Sequence, residues 1–248
     1  LESWGGKPDQ LLRPEAVTFD FGGTLLRLVE FDKLAGVQRM LEISSDTNGR
    51  TEQDILEFID ELDFQIQENR EESFIEYPAV LRQHVIYDTL GIRFDQTPGE
   101  IELEFWKASM NFSIEEGITT VLDGLSARDV TLAVVSNSAF SARAVRYELQ
   151  RHGLHDYFSY IVISADYGCR KPHAFIYRAA LALTGSKPAR TWHVGNSRYY
   201  DVEGALDAGM GVVWYNPTRR QPQGPKPHEA VDSWYTFQSV VERVFESE

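Results

Sequence analysis

Short apolar runs alternate with stretches of helical periodicity along most of this chain. The apolar runs predict strands at Ala16–Asp20, Thr131–Ser136, Tyr160–Ser164, Thr191–Gly195 and Gly211–Tyr215. Apolar residues at helical spacing predict helices over Ala139–Arg151, Ala174–Leu183, Asp201–Ala208 and Thr236–Phe245. Strands that alternate with helices of this length form βαβ units, so the pattern predicts an α/β fold with a Rossmann-like, doubly wound parallel sheet.

The long interval between the first two predicted strands has a different pattern. From about Phe31 to Phe112 it shows helical spacing and no β-alternation. One helical face carries a set of apolar residues: Ile55, Phe58, Ile59 and Leu62. A second helix is predicted over Ala79–Leu90, and Gly91 is suited to end it. This interval is too long for a single crossover, and its most economical interpretation is an insertion.

The two patterns together predict two domains. We expect residues 14–29 and 113–248 to form an α/β core domain, and residues 30–112 to form a helical cap domain inserted into it. Such a cap would lie above the carboxyl ends of the strands, where open α/β sheets bind their ligands. The segment Pro217–Pro227, rich in Pro, Gln and Gly, is expected to be an exposed loop.

Composition and charge limit the kinds of partner. The 248 residues carry a net charge of −14, which disfavours nucleic acid and anionic membranes, because both require a basic surface. A small phosphorylated molecule still fits if its pocket is locally positive. No apolar run reaches the roughly 18 residues of a membrane span, and the polar segment Leu1–Arg13 is expected to be a loose tail. The single cysteine, Cys169, excludes an intrachain disulfide and favours a cytoplasmic location.

Candidate chemistry begins where the first strand ends, in the segment Val17–Leu26. Asp20 follows the apolar strand and precedes Gly22 and Gly23, whose turn exposes backbone N–H groups. A carboxylate in this position can act as a nucleophile toward an anionic substrate. Other strands are followed by three further polar clusters: Ser136-Asn137, Asp166 to Lys171-Pro172, and Gly195-Asn196 to Asp201. Each cluster alone suits a helix cap or a turn, but all four fall at one edge of the predicted sheet.

In this order and spacing, the clusters resemble the motifs of the haloacid dehalogenase-like (HAD) hydrolase superfamily. The resemblance is to the branch with a helical cap inserted after the first motif. It covers almost the whole chain and extends to three further stretches: Glu116-Gly117-Ile118, Gly153–Phe158 and Ala208–Trp214. It implies a Mg²⁺-dependent phosphomonoesterase that acts on a small phosphorylated metabolite.

The resemblance also implies a role for each cluster. Asp20 would attack phosphorus and form an aspartyl-phosphate, Ser136 would bind a phosphoryl oxygen, and Lys171 would neutralise the shared negative charge. The residues implied to bind the phosphate are Phe21, Gly22, Gly23, Asn137 and Lys171. The groups implied to hold Mg²⁺, directly or through water, are Asp20, the Gly22 carbonyl, Asn196 and Asp201. A divalent cation and a lysine suit this chemistry because a carboxylate otherwise repels a phosphate dianion.

Two residues depart from the pattern of the family's phosphatases. Gly22 stands where those enzymes usually carry a second aspartate, which protonates the leaving oxygen and then activates water. A positioned acid–base group typically contributes about 10²–10⁴-fold, so turnover is expected to be slow. Asn196 replaces the usual acid of the last motif and would coordinate Mg²⁺ with less charge.

These departures leave two alternative functions open. A non-catalytic phosphate-binding or interaction module would keep the phosphate site and lose turnover. A dehalogenase-type hydrolase would use Asp20 against carbon without a metal, and the pairing of Lys171 with Tyr177 resembles that branch. However, dehalogenases of this type carry an aromatic residue at position 22 and a shorter interval than Asn196–Asp201.

Five further side chains have less specific signals. His84, in a predicted cap helix, could replace the missing acid, although a structural role is favoured. His193 stands inside a strand and is expected to be structural. Tyr199 and Tyr200 either border the pocket or pack as aromatic residues, and Arg170 either adds positive charge or faces solvent.

Overall fold

The computed structural model describes residues 8–221 and 224–247, apart from the side chains of residues 67–71. Its strands are β1 (Ala16–Phe19), β2 (Leu26–Phe31), β3 (Met110–Ile114), β4 (Thr131–Ser136), β5 (Tyr160–Ile163), β6 (Thr191–Gly195), β7 (Gly211–Tyr215) and β8 (Glu229–Val231). Six of these form one parallel sheet in the order β5-β4-β1-β6-β7-β8, whereas β2 and β3 form an antiparallel pair.

Helices connect the strands. They are α1 (Lys33–Ile43), α2 (Glu52–Ser73), α3 (Ala79–Leu90), α4 (Pro98–Ser109), α5 (Ile118–Ser126), α6 (Ala142–Arg151), α7 (Ser164–Tyr167), α8 (Ala174–Thr184), α9 (Gly204–Asp207) and α10 (Trp234–Glu246). A π-helical turn at Arg198–Glu203 precedes α9, and 3₁₀ turns lie at His155–Tyr157 and Pro188–Arg190.

Both faces of the parallel sheet are covered, which explains why its strands are continuous apolar runs. Successive residues of a strand point to opposite faces. Accordingly Val134 packs in an apolar cluster that includes residues of α5, α6 and α10, whereas Val135 packs in a second cluster with residues of α8 and α9. Likewise, Val213 packs in the first cluster and Val212 in the second. The predicted Rossmann-like, doubly wound sheet is therefore confirmed.

Helices α1 to α4, which we call the helical insertion, lie between β2 and β3. Val37, Met40, Ile55 and Ile59 contribute to an apolar cluster built mainly from this insertion. The helix predicted over Ala79–Leu90 has those bounds, and Gly91 ends it in the left-handed conformation at φ 74°. The division into a cap domain of residues 30–112 and a core of residues 14–29 and 113–248 stays a prediction.

The structure corrects the sequence interpretation at several places. The expected absence of β-structure was wrong at both ends of the interval, because β2 and β3 flank the helical insertion. β2 is exposed after its first residue, so it contains no buried apolar run that would predict a strand. The expected helix from Asp201 is a π-helical turn followed by α9. The described part of the expected loose tail is bound: the Leu12 carbonyl accepts the Trp192 indole N–H at 2.8 Å.

Two expectations fall partly outside the described residues. These are residues 1–7 of the expected tail and residues 222–223 of the expected loop at Pro217–Pro227. The described remainder of that loop contains no helix or strand, and the helix after it starts two residues earlier than predicted, at Trp234. Among the described helices, none has the length and apolar character needed to cross a bilayer.

Candidate active site

The central strands bring three of the polar clusters together. β1 pairs with β4 on one side and β6 on the other, with Phe19 opposite both Val134 and Val194. Asp20 continues this register, since its N–H donates to the Val194 carbonyl at 2.9 Å. Because parallel strands end at the same edge, the residues that follow β1, β4 and β6 meet there.

Lys171 joins two buried carboxylates at this edge. Its Nζ lies 2.8 Å from Asp20 Oδ1 and 2.5 Å from Asp201 Oδ1, and it also donates to the Val135 carbonyl at 2.9 Å. Ser136 Oγ donates to the same Asp20 Oδ1 at 2.9 Å. Asp20 is 7% exposed, and Lys171 and Asp201 are each 1% exposed. The structure therefore brings together the four residues on which the predicted site depends.

Burial and mutual charge shift the pKa of each ionisable group. Burial raises the pKa of Asp20, Lys171 opposes this rise and Asp201 adds to it. Burial alone would lower the pKa of Lys171, but Asp20 and Asp201 outweigh it and raise that pKa. Burial also disfavours ionised Asp201, but Lys171 and His193 lower its pKa well below the ordinary value. The surroundings therefore favour the charged forms of Lys171 and Asp201, whereas burial disfavours the charged form of Asp20.

A second layer of contacts holds Asp201 in place. The backbone N–H of Ser197 donates to Asp201 Oδ2 at 2.7 Å, and His193 Nε2 lies 3.2 Å from Oδ1. His193 Nδ1 is 2.8 Å from the Thr18 hydroxyl. Burial lowers the pKa of His193, so the ring is neutral at pH 7. A neutral ring with its proton on Nε2 donates to Asp201, and the Thr18 hydroxyl is shared between Nδ1 and the Trp192 carbonyl, 3.1 Å away.

A cavity of about 230 Å³ lies over these groups. It is lined by Asp20, Gly22, Ser136, Asn137, Arg170, Lys171, Asn196, Ser197, Tyr200 and Asp201. Asn137 holds the loop that carries the lysine: its Oδ1 accepts the Lys171 N–H at 2.7 Å, and its Nδ2 donates to the Lys171 carbonyl at 3.0 Å. The second N–H of Asn137 Nδ2 is not used in these two bonds, and Asn137 lines the cavity.

The Gly22-Gly23 turn has two different glycines. Gly23 has φ +74°, and a Cβ there would lie 2.3 Å from Asn196 Nδ2, so the position requires glycine. Its N–H donates to the Leu26 carbonyl at 2.7 Å, so this group closes the turn instead of facing the cavity. A Cβ on Gly22 would meet no heavy atom within 4 Å. The position that lacks the usual acid is therefore open.

Phe21 is buried and packs on Phe112, with ring centroids 5.2 Å apart.

The oxygen donors near the turn fit a hard cation. Asp20 Oδ2 receives one long hydrogen bond, from Thr24 at 3.3 Å, and the Gly22 carbonyl lies 3.4 Å from Asn196 Nδ2. One carboxylate, one carbonyl and the amide oxygen of Asn196 suit Mg²⁺, which prefers oxygen ligands and retains waters. As placed, Asn196 directs its Nδ2 to the Gly22 carbonyl, so its amide would turn over to present that oxygen. Both carboxylate oxygens of Asp201 are instead used in hydrogen bonds with Lys171, His193 and Ser197. Among the described residues, no group of three or more His, Cys, Asp or Glu side chains is placed to hold a metal, so the donor set carries little charge.

The sequence profile of the haloacid dehalogenase-like hydrolases matches residues 17–215, which include every cluster of this site. The chain belongs to this family. Among its curated relatives, the pyrimidine 5′-nucleotidase YjjG of Escherichia coli is 28% identical over 162 residues, covering 64% of this HAD-like hydrolase and 71% of the relative. A glyceraldehyde 3-phosphate phosphatase of Methanothermobacter thermautotrophicus is 35% identical over 98 residues, covering 40% of the hydrolase and 42% of that protein.

Solved structures show the same fold. A HAD phosphatase from Thermococcus onnurineus superposes with a TM-score of 0.61 at 19% identity, covering 91% of the hydrolase and 97% of that chain. A 2-haloacid dehalogenase from Pseudomonas syringae superposes with a TM-score of 0.63 at 22% identity, covering 94% of the hydrolase and 99% of that chain. Because proteins named for two different reactions match equally well, the fold alone does not choose between them.

The residue that resembled the dehalogenase branch lies outside the cavity lining. Tyr177 is fully buried, and its hydroxyl donates to the Tyr200 carbonyl. Burial raises the pKa of Tyr177, with the two site carboxylates adding to the effect. In the HAD-like hydrolase, this tyrosine therefore supports the π-helical turn that carries Tyr200. Lys171 and Tyr177 thus share the spacing seen in dehalogenases, but Tyr177 contacts the Tyr200 carbonyl and does not line the cavity.

The structure places the five less certain side chains as follows. His84 is exposed on α3 and is not part of the cavity lining, whereas His193 is buried and contacts Asp201. Arg170 and Tyr200 line the cavity, with the Arg170 guanidinium 5.4 Å from the Tyr200 ring centroid. Tyr199 is 45% exposed beside Tyr200.

Sequence reasoning missed a contact between the helical insertion and the loop that carries Lys171. The Phe74 carbonyl accepts the Arg170 N–H at 3.0 Å, and the Glu76 N–H donates to the Gly168 carbonyl at 3.2 Å. The Glu76 carboxylate is 2% exposed and accepts from the Ser164 hydroxyl at 2.7 Å. These residues lie about ninety positions apart, so periodicity could not pair them. The only available signal was an acidic residue between apolar neighbours.

Proposed function

We propose that this HAD-like hydrolase is a Mg²⁺-dependent phosphomonoesterase that forms an aspartyl-phosphate at Asp20. The observation that carries the proposal is the contact of Lys171 with both Asp20 and Asp201 at the base of the cavity. The three ionised groups carry a net charge of −1, so a phosphate dianion requires a further cation. When bound by Asp20, the Gly22 carbonyl and Asn196, Mg²⁺ would supply that charge to the phosphoryl oxygens.

The residues of the chain account for the transfer itself. An Asp20 carboxylate oxygen attacks phosphorus, and the bond from phosphorus to the leaving oxygen breaks, with its electron pair remaining on that oxygen. Lys171 Nζ, held by Asp201 and the Val135 carbonyl, stabilises the charge that moves from the carboxylate onto the phosphoryl group. Ser136 donates to a phosphoryl oxygen once Asp20 has turned from it. Water then attacks the aspartyl-phosphate and releases phosphate, regenerating Asp20.

The position of Gly22 makes both steps slow for most substrates. No side chain at position 22 can protonate the leaving oxygen or activate water, since glycine has none. We therefore expect turnover to depend strongly on the leaving group and the phosphoenzyme to persist. The phosphatase names among the relatives favour phosphate ester hydrolysis over dehalogenation. The burial of Tyr177, whose hydroxyl bonds to the Tyr200 carbonyl, supports the same choice.

A second candidate is a phosphate-binding module without turnover, which Gly22 and Asn196 favour together. A phosphatase panel at high enzyme concentration, with and without Mg²⁺, separates the two. The enzyme hypothesis predicts Mg²⁺-dependent phosphate release that Asp20→Asn abolishes, while Asp95→Asn, at an exposed carboxylate outside the site, leaves it intact. Phosphate binding that survives Asp20→Asn, with no turnover in the unsubstituted protein, would instead establish the module.

A further inference from the structure

Aromatic side chains from three segments form a continuous rim beside the cavity. Tyr200 lines the cavity, and the Tyr199 ring lies 5.3 Å from it, centroid to centroid. The Phe74 ring lies 6.4 Å from Tyr199 and 6.5 Å from His173. We call Phe74, His173, Tyr199 and Tyr200 the aromatic rim. Tyr199 is 45% exposed, so part of this residue is accessible to a ligand.

The rim is held by the same segments that carry the reacting groups. Tyr199 and Tyr200 stand in the π-helical turn between Asn196 and Asp201, and His173 follows Lys171 by two residues. Phe74 comes from the helical insertion, and its carbonyl accepts the N–H of Arg170, a lining residue of the cavity. Tyr200 and Asp20 line the same cavity, so the rim borders the space in which a phosphoryl group would meet Asp20.

The open position at Gly22 restricts the leaving group. Without an acid, the electron pair of the broken bond must remain on the leaving oxygen as an anion. A phenolate accepts this readily, because phenols such as tyrosine have a pKa of about 10. A sugar or nucleoside alkoxide is far more basic and needs a proton as it leaves. Space is also present, since a Cβ at Gly22 would meet nothing within 4 Å.

We propose that the substrates of this site are aryl phosphate monoesters whose ring stacks on the aromatic rim, an inference that rests on the proposed phosphomonoesterase function. The phosphoryl group passes to Asp20, the bond between phosphorus and the aryl oxygen breaks, and the phenolate departs and takes its proton from water. Aromatic rings stack with offset or edge contacts, which the tilted rings of the rim can provide. The rim supplies affinity for the ring, and the aryl oxygen supplies a stable leaving anion.

The test separates ring binding from leaving-group chemistry. Turnover is measured with phenyl, benzyl and methyl phosphate, since benzyl phosphate has the ring but an alkoxide leaving group. Binding is measured by calorimetry with phenylphosphonate and methylphosphonate, which cannot be hydrolysed. We expect phenyl phosphate to react far faster than the other two, and phenylphosphonate to bind more tightly than methylphosphonate.

Variants of Tyr199 assign the ring contribution. Tyr199→Ala should weaken phenylphosphonate binding, and raise KM for phenyl phosphate, by roughly 3- to 10-fold, with methylphosphonate affinity unchanged. Tyr199→Phe, which keeps the ring, should retain the preference for the phenyl ligand. Phe64→Ala, at a residue 83% exposed on the helical insertion, is the matched control and should leave the affinity for both phosphonates unchanged.

Three results would overturn the proposal, and they differ from failure of the proposed function. Equal affinity for the two phosphonates, or an equal loss of both in Tyr199→Ala, would show that the rim does not recognise a ring. Comparable turnover of phenyl and benzyl phosphate would show that the leaving group does not matter. If no phosphate ester is hydrolysed but phenylphosphonate binding still depends on Tyr199, the phosphatase function fails and the aryl site remains.

Discussion

Replacement of Gly22 by aspartate should restore an acid–base group to the site. A Cβ at this position would meet no heavy atom within 4 Å, and the backbone of Gly22 is outside the left-handed region, so neither the Cβ nor the backbone conformation opposes the substitution. The cavity already contains Asp20, Lys171 and Ser136, which the proposed function assigns to the reaction. Gly22→Asp therefore tests the missing acid separately from the second departure, Asn196.

A positioned acid–base group contributes about 10²–10⁴-fold to rate, equivalent to roughly 2.7–5.4 kcal/mol of activation free energy. We expect Gly22→Asp to raise kcat/KM for methyl phosphate by a factor in this range. The gain for phenyl phosphate should be much smaller, because a phenolate needs no proton to leave. Dephosphorylation should also accelerate, which lowers the amount of phosphoenzyme at steady state.

Kinetic assays of three variants test this reasoning. Gly22→Asn has nearly the same shape as Gly22→Asp without the acid, and it should show no gain. Gly23→Ala should lose activity instead, because its Cβ would lie 2.3 Å from Asn196 Nδ2 at a φ of +74°. A folded Gly22→Asp protein that is no faster on methyl phosphate than Gly22→Asn would refute the assignment of position 22 as the missing acid.

Two other predictions concern charge and stability. Lys171→Met should lower the free energy of unfolding by about 3–5 kcal/mol in urea titrations, because it leaves buried Asp20 and Asp201 without their cation; an unchanged midpoint would show that the ion pairs are not structurally important. Burial raises the pKa of Glu102, which accepts from Ser141 at the start of α6. The native state therefore binds this proton more tightly than the unfolded chain, so the native protein loses stability as pH rises from the ordinary value of 4.5 through the raised pKa. Glu102→Gln should remove this loss, and its unfolding free energy relative to the unsubstituted protein should increase between pH 4.5 and 7.5; a constant difference across that range would contradict the assignment.

The parts of the fold that could be predicted are those with a local signal. β4, β6 and β7 were predicted to the residue because they are continuous buried apolar runs. β2 has one buried residue followed by exposed ones, so burial gives it no periodic pattern. It forms because β3 pairs with it across the helical insertion, from Leu26 opposite Ile114 to Phe31 opposite Met110. Such a long-range pairing leaves no signal in either segment alone.

The candidate site divides in the same way. Asp20 follows β1, Ser136 ends β4 and Asp201 lies in the turn after β6, so the topology brings these three to one edge of the sheet. Lys171 lies beyond α7, the helix that follows β5. The roles of their neighbours depend on rotamers and contacts that no spacing encodes. Asn137 was predicted to bind phosphate, which stays a prediction, and the structure adds that its amide also holds the Lys171 backbone from both sides. The rim contact between Phe74 and Tyr199 joins the helical insertion to the core and was likewise invisible.

The central claim is that Asp20 accepts the phosphoryl group of a substrate. Intact-mass and peptide mass spectrometry, after incubation with phenyl phosphate and Mg²⁺ and rapid acid quenching, tests it most directly. The account predicts the added mass of one phosphoryl group on the peptide that contains Asp20, and its absence in Asp20→Asn. Hydrolysis of phenyl phosphate with no trapped adduct on that peptide, or an adduct that persists in Asp20→Asn, would contradict the account.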